Sequence, residues 1–212
     1  RQLHRRGDRV DRGQAPGLRA RTRGVSAPGY PAPPSATVRS PRAVQVVEAA
    51  RRLLESEGPD ALTMRRLADE LGIRAPSIYK HFPGKPAVEL AMIEDALIEL
   101  GTALHRVVAG AVPGEAVAAL LCAYRAYALD HPNLYRLATG AGISRQDLAD
   151  GLEDWGGEPF YLATGEPYQA QALWAFAHGM VVLELDDRFL PGSDLDRTWA
   201  AGASAFITAA PL

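Results

Sequence analysis

The sequence is poor in cysteine: Cys122 is the single one among 212 residues, which excludes an internal disulfide and a cysteine-built metal centre. A run of about 18 uncharged apolar residues, the length a helix needs to cross a bilayer, is also missing, so a membrane protein is not expected. From residue 41 onward there is little of the apolar–polar alternation that marks strands. No nucleophile, base and acid stand at a catalytic spacing, and no His, Asp or Glu set has metal-ligand spacing. No catalytic residue, cofactor or metal ligand is therefore assigned, and an enzyme is not expected. The N-terminal stretch lacks the continuous apolar segment of a secretory signal, so the expected location is the cytoplasm.

What is present is charge, unevenly spread. The net charge of −2 hides a basic end, residues 1–40, with Arg1, Arg5, Arg6, Arg9, Arg12, Arg19, Arg21, Arg23 and Arg39 against Asp8 and Asp11. From Met92 onward Arg106, Arg125, Arg136, Arg145, Arg188 and Arg197 are outnumbered by acids. Such a chain presents only its basic end to a polyanion, which makes nucleic acid the expected partner. Residues 1–40 are also rich in Pro, Gly, Ala and Ser, include Pro28-Gly29 and Pro33-Pro34, and show no apolar period, so they read as a disordered arm.

After Pro41 the pattern becomes helical. Val44, Val47 and Leu54 form one row and Val46, Ala50 and Leu53 the next, until Glu57-Gly58-Pro59 ends the helix. Behind Thr63, a capping residue, Met64, Leu67, Ala68 and Leu71 predict a second helix that stops at Gly72. Pro76 suits the first turn of a third, short helix reaching about His81. Helix, tight turn with Gly, helix is the geometry that seats a second helix in the major groove of DNA. Leu67, Leu71, Ile73 and Ile78 would lock the pair. Thr63, Arg65, Arg66, Arg74, Ser77, Tyr79, Lys80, His81 and Lys85 would offer phosphate and base-edge donors. For Phe82, packing against the first helix is the simpler reading.

The stretch from Ala61 to Lys85 resembles the N-terminal domain of the tetracycline-repressor (TetR) family, through Thr63, Ala68, Gly72, the string Tyr79-Lys80-His81-Phe82, and Lys85. The resemblance covers about residues 41–90. It implies that residues 73–81 form the recognition helix, that Tyr79, His81 and Lys85 touch phosphates, and that Arg65 approaches a base or phosphate. Base reading would fall to Ala75, Ser77 and Lys80. This chain departs from the family at Arg74, where Ser or Thr usually caps the recognition helix; a lost cap costs about 1 kcal/mol. The string from Trp174 to His178-Gly179 is similar to the Trp…His-Gly signature of one TetR subgroup, and His131-Pro132 fits it too.

Proline and capping signals predict further helices over 86–109, 113–130, after Pro132, and 167–190, with Ser144/Asp147 and Ser193/Asp196 spaced as capping boxes. Residues 155–167, rich in Gly and aromatics, read as a loop. The expected architecture is all-α with about nine helices: an arm over 1–40, a helix-turn-helix domain over 41–85, and a helical regulatory and dimerisation domain over 86–212. A small, largely apolar effector would be lined by Leu97, Leu100, Leu104, Leu120, Tyr124, Tyr127, Trp155, Phe160 and Trp174. His178 reads more simply as a core histidine, Cys122 as a buried small residue, and Glu184, Asp186 and Asp187 as a solvated face. The helix over 167–190 is apolar nearly all round, so it must be buried on both sides. Phe176, Met180, Leu183, Trp199, Ala203 and Phe206 are the expected contacts of a four-helix homodimer interface. The function expected is a ligand-released repressor on a palindromic, double-stranded operator. The alternatives are an architectural DNA binder without a ligand and a helical enzyme; an acidic regulatory half disfavours the first, and the missing catalytic set the second.

Overall fold

A computed structural model describes residues 30–34, 38–112, 114–140 and 145–207, and the statements below concern these. Most of the expected arm, and Ser144 with its expected cap, lie outside them. The described residues form nine α-helices and one short 3-10 turn, with no strand among them.

The first helix, α1 (Pro41–Glu57), starts where the Ser40 hydroxyl accepts from the Ala43 amide, with proline in its first turn. It ends at Gly58, whose φ of 84° lets its N–H close on the Leu54 carbonyl. Helix α2 (Met64–Glu70) is capped by Thr63, as its sequence predicts, through a 3.1 Å bond from the Arg66 amide. Gly72 takes φ 62°. There its N–H meets the Asp69 carbonyl and that of Ile73 meets Ala68, the paired closure that turns a chain sharply after a helix. Helix α3 (Ala75–Tyr79) follows at once. Ala49, Ala50, Leu53, Leu54, Leu67, Ile78 and Phe82 close a core that also takes in Val88, Met92 and Ala96 of α4 (Lys85–Gly110) and Leu134 of α6 (Pro132–Thr139). This first core therefore runs past residue 85, so α4 belongs to both halves.

The second core joins Leu104 of α4 to α5 (Ala116–Asp130), α7 (Leu152–Thr164), α8 (Pro167–Leu185) and α9 (Leu195–Ile207). The expected loop over 155–167 is mostly helix, because Leu152, Trp155, Pro159 and Phe160 are buried at helical spacing and left-handed Gly151 and Gly165 bracket them. Gly156, Gly157 and Pro159 disguise the period. Proline lacks the N–H that would bond the carbonyl four residues back. That carbonyl, of Trp155, instead accepts from His105 Nε2 on α4 at 2.9 Å. At α9 the cap is Asp194, which accepts from the Arg197 amide, rather than the expected Ser193. Helix α8 stops at Leu185, short of 190, where Asp186 and Asp187 turn the chain.

Candidate functional site

Thr63, Arg65, Arg74, Tyr79, Lys80 and His81 are exposed around α2 and α3, with Ala75, Ser77 and Lys85 half-buried beside them. Tyr79 is 52% exposed, whereas Phe82 packs into the first core, which separates the two aromatic residues as a surface ring and a structural one. Arg74 stands at the start of α3 without a side-chain cap, in line with its departure from the family pattern. Arg66 differs from expectation: its guanidinium bonds Glu57 at 2.6 Å and Glu70 at 3.2 Å, so it braces α2 against α1 rather than lying free on the surface. Lys85 Nζ rests 3.3 Å from the Pro59 carbonyl and 3.5 Å from Glu89, close to the turn between α1 and α2. His81 Nδ1 lies 3.2 Å from the Ser40 hydroxyl, which ties the end of the reading motif to the start of α1. Arg65, Arg74 and Lys80 form no ion pair with any described residue.

Of the expected effector residues, Leu104, Leu120, Tyr124 and Phe160 meet in the second core, with Leu100 against it. Leu97 is half-buried on α4. Three residues lie outside that cluster. Tyr127 packs on the first core and donates to Glu99, which also holds Arg51 of α1. Trp174 is 51% exposed on the outer side of α8, its ring stacked on His178. Trp155 packs against His105 and so close to Gly101 that a Cβ at 101 would run into the indole.

Sequence reasoning missed two polar features of this region. Tyr124 and Tyr135 share a hydroxyl bond of 3.0 Å, and Tyr135 continues to His178 Nδ1 at 2.7 Å. Burial pushes the Tyr124 hydroxyl up to about 12, more than the neighbouring Tyr135 hydroxyl and Trp174 indole lower it. His105 is the other. It is buried, its Nδ1 has no hydrogen-bond partner, and desolvation lowers its pKa, so the ring is neutral near pH 7. A lone His on the apolar face of α4 was the only signal. An open hollow of about 220 Å³ lies elsewhere, beside the start of α7, lined by Gln146, Asp150, Glu153 and Asp154 among others.

The expected interface residues also divide. Met180, Trp199 and Ala203 are buried within the chain. Phe176 packs on Trp199, Phe206 and Gly202, and the Trp199 indole donates to Glu184 beneath Arg125. These side chains face their own core because α9 folds back on α5 and α8. Leu183 is exposed, as are Val182 and, elsewhere on α8, Trp174. Cys122, expected to be buried, is exposed.

Residues 46–92 match the family described as bacterial regulatory proteins of the tetR family, and residues 117–206 match the tetracyclin repressor-like C-terminal domain. An uncharacterized HTH-type transcriptional regulator of Mycobacterium tuberculosis is 33% identical over 153 residues, covering 66% of this chain and 68% of that relative. A solved protein of unknown function from Rhodococcus sp. RHA1 superposes with a TM-score of 0.66 at 26% identity, covering 80% of this chain and 95% of that one. A TetR variant from Acinetobacter baumannii AYE, solved in complex with minocycline, gives a TM-score of 0.53 at 25% identity over 76% of this chain and 92% of that one. With the helix-turn-helix geometry, the continuous helical second half and these matches together, the chain belongs to the TetR family of DNA-binding transcriptional regulators.

Proposed function

We propose that this protein is a ligand-responsive repressor of the cytoplasm, a homodimer that grips a palindromic operator and lets go when a small, largely apolar molecule binds. Residues 41–85 would read DNA and residues 86–212 would sense and dimerise. The observation that carries this reading is α4, which begins at Lys85 beside the DNA motif and delivers Leu104 and His105 to the second core. A tilt of that helix changes the separation of two recognition helices, and a dimer binds tightly only when that separation matches the repeat of DNA. The Acinetobacter baumannii neighbour solved in complex with minocycline supports a small-molecule effector. Exposed Val182 and Leu183 near the end of α8 supply apolar surface for a second copy.

Selection from random duplexes with the purified protein is expected to enrich an inverted repeat with half-sites about one helical turn, or a multiple, apart. Sedimentation should then give a dimer on that site. A monomer protecting an asymmetric sequence would overturn the reading. For any effector found, linkage demands that operator weaken ligand binding by the factor by which ligand weakens operator binding, typically about 1 to 3 kcal/mol.

A further inference from the structure

Tyr30 and Pro31 dock where α4 and α7 meet. The Tyr30 ring stacks on His105, with centroids 5.8 Å apart and planes 13° from parallel. The next residue, Pro31, offers its carbonyl to the Trp155 indole N–H at 3.0 Å. Both partners sit in a prepared place. Trp155 lies flush on Gly101, where no side chain could stand, and its ring is 4.8 Å from that of His105. His105 must carry its proton on Nε2, because that atom faces the Trp155 carbonyl, which only accepts. Its Nδ1 is therefore a buried acceptor that the docked segment leaves without a partner. A buried acceptor left unmade is costly, so a ligand that donates to it gains what Tyr30 and Pro31 do not.

The same segment reaches the DNA-binding half within a few residues. Arg39 Nη1 holds both Asp95 oxygens at 2.7 and 2.6 Å, and its Nη2 holds the Ala91 carbonyl and Glu94, all on α4. Ser40 caps α1 and bonds His81. Glu94, in turn, accepts from the Ala149 amide just before α7.

We propose that the niche of Gly101, His105 and Trp155 is a ligand site occupied by the chain's own Tyr30 and Pro31. Its external ligand is a planar aromatic molecule bearing a carbonyl acceptor for the indole N–H and an O–H or N–H donor for His105 Nδ1. Taking the niche frees the segment that orders Arg39, Ser40 and His81, and so lowers affinity for DNA. This last step rests on the regulator reading above; the occupancy of the niche does not.

The test uses the full chain labelled with 5-fluorotryptophan, in which the Trp155 fluorine signal is assigned through Trp155→Phe, and 4-hydroxyacetanilide as the probe. The probe is expected to shift the Trp155 signal and leave those of Trp174 and Trp199. If the segment fills the niche nine-tenths of the time, Tyr30→Ala should bind the probe about tenfold more tightly, while Tyr30→Phe, which keeps the stacked ring, stays as the parent. Affinity for duplex DNA should fall with Tyr30→Ala and with saturating probe. Equal probe affinity in Tyr30→Ala and the parent, or a shift confined to Trp174 or Trp199, overturns the site. Tighter probe binding with unchanged DNA affinity overturns the coupling and leaves the site standing. A parent chain that binds no duplex overturns the regulator reading, while the fluorine signal still decides the niche.

Discussion

Lys80 and Lys85 both carry charge to the DNA-facing side, yet they differ in surroundings. Lys85 leans on the Pro59 carbonyl and Glu89, whereas Lys80 is exposed at the end of α3 with no ion pair to a described residue. If Lys85, held beside the turn, meets only phosphate, it positions the protein without reading sequence. Lys85→Ala is accordingly expected to weaken binding to cognate and scrambled duplexes alike and to lower the salt slope by about one. Lys80→Ala should in addition change sequence preference. Anisotropy titrations over a range of salt, on both duplexes, check this; matching losses for the two variants would contradict the assignment. Arg66 teaches the same distinction from the other side. Its type and position suggested a donor to DNA, but Glu70 pairs with it from one turn along α2 itself, and Glu57 comes within reach once α1 and α2 are folded together.

Among the elements, α6 shows how the halves are joined. Its first turn has no cap of its own, and the chain there offers only His131 and Pro132. Glu55 of α1 supplies the missing acceptor, taking the Leu134 amide at 2.8 Å and the Asn133 amide at 3.2 Å, while the Asn133 side chain donates to the Leu54 carbonyl. A helix start satisfied from another helix is fixed relative to it. Glu55→Ala should therefore lower the urea midpoint by the equivalent of about 1 kcal/mol without changing the slope, the usual cost of a lost cap. An unchanged midpoint would show that Leu134 alone, buried in the first core, secures the contact. Helix α7 makes the opposite point. Its Pro159 removes an internal bond, and the freed Trp155 carbonyl becomes the anchor of His105.

At the scale of the whole molecule, two histidines make stability depend on pH. Burial lowers the pKa of both His105 and His178 below 6.5, more than the Trp155 carbonyl and Glu158 raise it at His105. The unfolded chain then binds more protons than the folded one below that value, so stability is complete above pH 6.5 and is lost as pH falls from there toward the folded pKa values. The melting temperature should drop as pH falls below about 6.5, and the drop should be smaller in His105→Gln, which retains a donor for the Trp155 carbonyl. An identical pH profile in that variant would exclude His105 as a source. Much of this architecture is legible locally. Ser40, Thr63, Gly58, Gly72 and the prolines mark helix ends through backbone geometry that each residue carries with it, and the reading motif is one unbroken segment of sequence. What the sequence by itself determined is therefore the all-helical class, the extents of α1, α2 and α4, the starts of α3 and α6, and the family. Tertiary structure alone decided that α7 is a helix despite Pro159, that Arg66 is braced, that Trp174 faces outward while Trp199 turns inward, and that Tyr30 lies on His105. Those outcomes depend on pairs separated by many residues, and the free energy of a buried face or a shared proton exists only after the distant partner has arrived.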